Sequence, residues 1–89
     1  MKKQNQRTNH GYTIIASVAL PDEEYVLGEK QTESKEPKYV TWCCINKNSY
    51  YHGHYIDDKR VAMLDMYERA QHEIAYRIDR LNDNIKRGE

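Results

Sequence analysis

In this 89-residue chain, residue types and spacing come nearest to chemistry at His52-Gly53-His54, followed by Asp57 and Asp58. Two histidines at i,i+2 on a strand point to the same side, and imidazole is a good zinc ligand. Cys43, across a hairpin, or one of the two aspartates could add a third donor. A closed structural zinc site needs four clear donors. The aspartates already have another use as helix caps, so no metal is assigned. Cys43 or Cys44 beside His52 or His54 could in principle form a thiolate pair. Buried cysteine is more often a small hydrophobe, and no glycine-rich phosphate loop or dinucleotide fingerprint accompanies it. The expectation is a non-enzymatic chain with no cofactor.

Aromatic usage says more. There are eight tyrosines and one tryptophan, and no phenylalanine. Tyr and Trp join apolar area to a hydrogen-bonding group and are enriched at interfaces. Tyr39, Trp42, Tyr50, Tyr51 and Tyr55 fall within one predicted hairpin, where some must serve the core of so small a domain. Val40, Trp42 and Cys44 are expected inside, with Tyr51 and Tyr55 packed beside them. Tyr50, His52, His54, Thr41 and Cys43 are expected outside. A one-residue slip would reverse this assignment. Trp42, Tyr50, His52 and His54 are the candidate partner-binding residues of the sheet.

These side chains need strands to hold them. Residues 12–20 alternate at period two with β-branched members, the mark of a half-buried strand, and only Ile15 breaks the pattern. Pro21-Asp22-Glu23 supplies turn chemistry, and a second strand follows over 24–28. Residues 29–38 read as a charged loop ending near Pro37. Residues 39–45 and 50–56 form a second hairpin about Asn46-Lys47-Asn48-Ser49. The expected fold is α+β: a four-stranded antiparallel sheet of two hairpins, then one long C-terminal helix. Residues 1–10 are read as a basic tail and 11–89 as a single domain.

The helix is expected over about 58–87. Asp57 or Asp58 caps its start, and Gly88 is the stop signal. At 1.5 Å per residue it runs roughly 44 Å, whereas a seven-residue strand covers only about 23 Å. Val61, Leu64, Tyr67, Ala70, Ile74, Ile78, Leu81 and Ile85 follow three/four spacing. Leaving Ile74, Ile78, Leu81 and Ile85 in water would forgo roughly 1.5–3 kcal/mol each. A homodimeric seam of those four residues is the leading expectation, with coiled-coil-like spacing over about two heptads. Gln71 interrupts it towards the N-terminus, and a helix folded back on its own sheet is the competing arrangement. Asp65–Arg69, Glu73–Arg77 and Asp83–Arg87 are acid-before-base pairs at i,i+4, which suits a solvated helix surface.

Net charge is zero, and its distribution limits the partners. Residues 1–10 count +3, residues 21–38 count −3, and residues 39–56 carry Lys47 alone. A duplex-binding surface would show a basic stripe. An RNA-stacking sheet would set Lys and Arg among its aromatics. Direct nucleic-acid binding, with the N-terminal tail supplying charge, is therefore the second reading. No apolar run reaches the ~20 residues of a membrane span, and residues 1–10 lack the apolar segment of a secretory signal. The chain reads as cytoplasmic, with Cys43 and Cys44 on opposite faces of a strand.

The run Tyr39-Val40-Thr41-Trp42, then Tyr51-His52-Gly53-His54-Tyr55, then a helix opening from Ala62 to Ala70 resembles small accessory proteins of Firmicutes mobile elements and prophages. The likeness covers roughly residues 12–72 and transfers no functional residue. That group includes anti-CRISPR proteins. The resemblance implies a non-enzymatic inhibitor that binds a larger host protein, such as a CRISPR nuclease or its guide complex.

Overall fold

The computed structural model describes residues 7–30 and 35–86. Five antiparallel strands form one meander in sequence order: β1 (Thr8–Asn9), β2 (Tyr12–Ala19), β3 (Glu24–Glu29), β4 (Tyr39–Ile45) and β5 (Ser49–Ile56). One helix, α1 (Lys59–Lys86), follows. The fold is α+β as expected, with one strand more than the four read from the sequence. The extra strand lies inside the stretch read as a tail. Asn9 pairs with Tyr12, and His10 and Gly11 turn the chain with φ of 50° and 83°. Positive φ at both central residues is what a tight two-residue hairpin requires.

The sheet buries apolar side chains on both faces. Tyr25 and Leu27 face α1 and meet Ala62, Met66 and Ala70, with Ile15, Val18, Cys43, Ile56 and Met63 around them. The other face holds Tyr12, Val26, Val40, Trp42 and Cys44, flanked by Ile14 and Tyr50. Adjacent cysteines thus do sit on opposite faces.

Two bulges decide which residues reach which face. In β2, Ile14 pairs with Gly28 and Ala16 with Leu27, so Ile15 is an extra residue. Tyr12 and Ile14 therefore face Trp42, whereas Ile15, Ala16, Val18 and Leu20 pack towards the helix. The break in alternation at Ile15 was the sign of this bulge. In β5, Thr41 pairs with His54 and Cys43 with Tyr51, so His52 and Gly53 together oppose Trp42. A Cβ on Gly53 would lie 2.9 Å from Trp42 Nε1. The indole occupies the space that a side chain at residue 53 would need.

These registers correct three expected placements. Tyr50, not Tyr51, packs on Trp42, with ring centroids 5.3 Å apart. Tyr51 lies opposite Cys43 on the helix side. Thr41, expected outside, is fully buried under α1. The cause of the last is plain: both faces of β4 are covered, so alternation there sorts side chains between two cores rather than between core and water.

Asp58 caps the helix. Its Oδ1 accepts from the Arg60 and Val61 N–H groups at 2.8 and 3.2 Å. Gly88 and the Asp83–Arg87 pair involve residues outside the described ones. Among the described residues no helix is long and apolar enough to cross a membrane.

Candidate functional site

The helix carries two apolar stripes, and only one meets the sheet. Ala62, Met66 and Ala70 are buried against it. Further along, Arg77 ties α1 to the β2–β3 turn. It reaches Asp22 at 2.8 Å and Glu23 at 3.5 Å, and its Nε donates to Glu73 at 2.8 Å. The bonds to Glu73 and Asp22 push the guanidinium pKa up.

The second stripe lies about a third of a turn around the helix, at 100° per residue. Leu64, Tyr67, Ile74, Ile78, Leu81 and Ile85 all present themselves to solvent. Exposure climbs along the proposed seam, from 38% at Ile74 through 52% at Ile78 and 61% at Leu81 to 72% at Ile85. The helix is therefore not folded back over these four residues. Ile74 lies alongside the last tie to the sheet, and Ile78, Leu81 and Ile85 follow Arg77 on the part of the helix beyond it. Two members of the expected stripe differ. Ala70 belongs to the sheet-facing set, and Val61 is exposed on another side of the helix. A mixed run of three-residue steps had merged the two stripes.

The four sheet candidates do not share a surface. Trp42 is 3% exposed and lies with half-buried Tyr50 on the face away from α1. His52 and His54 are exposed on the helix side. His52 sits at the bulge with φ of 54°, a left-handed conformation uncommon for a residue with a side chain. His54 Nδ1 lies 2.9 Å from Asp65 Oδ2. The same oxygen accepts from the Thr41 hydroxyl at 2.5 Å, and Arg69 donates to the Thr41 hydroxyl and carbonyl oxygens at 2.9 and 3.0 Å. Burial works against charge on Asp65. The bonds from Thr41 and His54 and the nearby Arg69 charge outweigh it and hold the carboxyl below its usual value. Asp65 and Arg69, expected as a simple surface pair, instead converge on Thr41 and pin the helix to β4.

Beside this network, an open recess of about 550 Å³ is lined by Tyr25, Cys43, His52, Arg69, His72 and Tyr76 among others. Burial pushes the Cys43 thiol up, with the Glu23 charge adding to it, so the sulfur is held as a neutral thiol. Among the described residues no three His, Cys, Asp or Glu side chains are grouped to hold a metal ion.

The opposite face contains a smaller recess, about 460 Å³, bounded by His10, Tyr12, Lys30, Glu36, Pro37 and Tyr55. Lys30 Nζ lies 4.5 Å from the centre of the Tyr12 ring and 2.7 Å from Glu36. Arg7, read from sequence as part of a basic tail, is instead built into this face. Its guanidinium reaches both oxygens of Glu24, which is 5% exposed, and donates to Tyr50 Oη at 3.1 Å. A charge committed to a buried carboxylate is not available to a phosphate backbone. Lys2 and Lys3 lie outside the described residues. Sequence reasoning missed this pair because the only local signal was an isolated Arg followed by a short His-Gly turn.

The chain matches no protein-family model, no curated protein and no solved structure.

Proposed function

We propose that this chain is a non-enzymatic protein-binding module that pairs with a second copy through its helix and acts by covering a surface of a larger partner. The observation that carries the reading is the unpartnered row Ile74, Ile78, Leu81 and Ile85, whose exposure rises as the helix leaves the sheet. Burying an aliphatic side chain of this size is worth roughly 1.5–3 kcal/mol, so four in a row form a strong drive to associate. The resemblance to mobile-element accessory proteins supplies the finer reading, an inhibitor of a host CRISPR nuclease or its guide complex.

A cleavage assay tests the inhibitory part. A guide-loaded CRISPR nuclease incubated with a molar excess of the chain is expected to lose target cleavage. Unchanged cleavage across nucleases from Firmicutes hosts would remove that part and leave the pairing to be judged separately.

A second reading, direct binding of single-stranded nucleic acid, is favoured by one observation: the exposed rings of His10 and Tyr55 border a recess that also holds Lys30, itself paired with Glu36. Aromatic faces beside a cation can stack bases. Fluorescence anisotropy with labelled single strands at low salt tests it, and an unchanged signal eliminates it. The Arg7–Glu24 pair makes it the weaker reading.

A further inference from the structure

Resting on the pairing reading above, the exposed stripe also contains a direction. We propose that two copies pair in parallel and in register as a three-heptad coiled coil from Leu64 to Ile85, with Gln71 facing Gln71 of the second copy across the seam. Leu64, Tyr67, Gln71, Ile74, Ile78, Leu81 and Ile85 are separated by steps of three and four in strict alternation. That is the a/d pattern of a left-handed coiled coil, with Leu64, Gln71, Ile78 and Ile85 at a and Tyr67, Ile74 and Leu81 at d. All seven are exposed in the single chain or, for Ile74, on the margin of being so at 38%. The sheet-facing residues Ala62 and Met66 lie at f and c, away from the seam, and Ala70 at g meets the sheet at the seam's edge.

Isoleucine at two a positions with leucine at one d position suits two strands, and the polar position favours a parallel arrangement. Gln71 at a then meets its own equivalent, and each amide can both donate and accept. Such a polar layer fixes register at some cost in stability. An antiparallel seam that used the full stripe would set Gln71 against Ile78, burying an amide without a partner at a cost of about 1–3 kcal/mol. Sliding the antiparallel seam to avoid this leaves only Ile74, Ile78, Leu81 and Ile85 covered and abandons Leu64 and Tyr67 to solvent.

The flanks permit close approach. Ala75 and Asn82 border the stripe on one side, with Asn84 on the other. Arg77 also lies there, but its charge is committed to Asp22, Glu23 and Glu73. No like charges are set against each other beside the exposed end of the seam. Seven side chains from each copy cover on the order of 1,200 Å² in total, the lower bound of a stable interface. The four-residue alternative falls short of it.

Site-specific cross-linking of the full chain decides the direction. Ile85→Cys is oxidised mildly and the disulfides are assigned by peptide mass mapping, which separates them from products of Cys43 and Cys44. Most of the protein is expected to carry a link between residue 85 and its equivalent. In the antiparallel seam of four residues these positions lie roughly 16 Å apart at 1.5 Å per residue, beyond disulfide reach. A mixture of Ile74→Cys and Ile85→Cys chains linking 74 to 85 would overturn the proposal while leaving the pairing intact. So would a dimer by light scattering that forms no 85–85 link. A monomer by light scattering would overturn the pairing itself. Gln71→Leu adds an independent readout: thermal stability should rise while the 85–85 link becomes one of several products, and an unchanged single product would show that Gln71 sets no register.

Discussion

Arg7 and Glu24 place opposite charges within the face of the sheet that α1 does not cover, where Tyr50 and Cys44 surround them. Removing one partner of such a pair leaves the other charge poorly solvated. Arg7→Ala is expected to lower the unfolding free energy by about 3 kcal/mol, the low end for a broken buried pair, because Lys47 lies 3.9 Å from Glu24. Urea titration at neutral pH measures it. Asp65 gives a pH signature. Its folded pKa lies below the unfolded one, so its stabilisation is complete above the usual aspartate value and is lost as pH falls through the folded value. Stability compared at pH 7 and pH 3 should therefore drop less in Asp65→Asn than in the original chain. Gly53→Ala should also destabilise, by about 1–3 kcal/mol, since the new methyl would meet Trp42 and Tyr55 at 2.9 and 3.0 Å. A return of full stability would mean that the bulge has slack.

At the scale of elements, β4 and α1 were legible because their signals are long and local. Residues 39–45 are continuously β-prone, and the helix carries its cap and its periodicity on its face. Asp58→Ala should cost about 0.5–2 kcal/mol by orphaning the Arg60 and Val61 N–H groups, measured by thermal unfolding. Strand β1 was not legible. It has two residues, and its only marks are an Arg that finds its partner seventeen positions away and a His-Gly turn. The faces of β5 were half legible. Alternation is a reliable guide until a bulge adds a residue, and the bulge at His52-Gly53 depends on the bulk of Trp42 in the neighbouring strand. No pattern within β5 could report that. The same holds for the sheet candidates: Trp42 and Tyr50 went to one side and His52 and His54 to the other because of that single inserted residue.

For the whole molecule, the decisive fact is a mismatch of lengths. Twenty-eight helical residues span roughly 42 Å, and the sheet's last hold on them is Arg77. Beyond it Ile78, Leu81 and Ile85 are each more than half exposed among the described residues. The sequence showed these residues and their spacing, but it ran two stripes together. The structure separated them, since only contact with the sheet distinguishes Ala62-Met66-Ala70 from Leu64-Tyr67-Ile74. A helix end held only by its own backbone bonds is marginal in water, so pairing would stabilise the fold as well as create a bivalent surface. Sedimentation equilibrium between about 1 and 100 µM, the range that brackets a typical interface of this size, tests this directly. The mass is expected to approach twice 10.6 kDa as concentration rises, and the Ile78→Asp, Leu81→Asp variant is expected to remain a folded single chain at all concentrations. A constant 10.6 kDa for the original chain at every concentration would contradict the pairing.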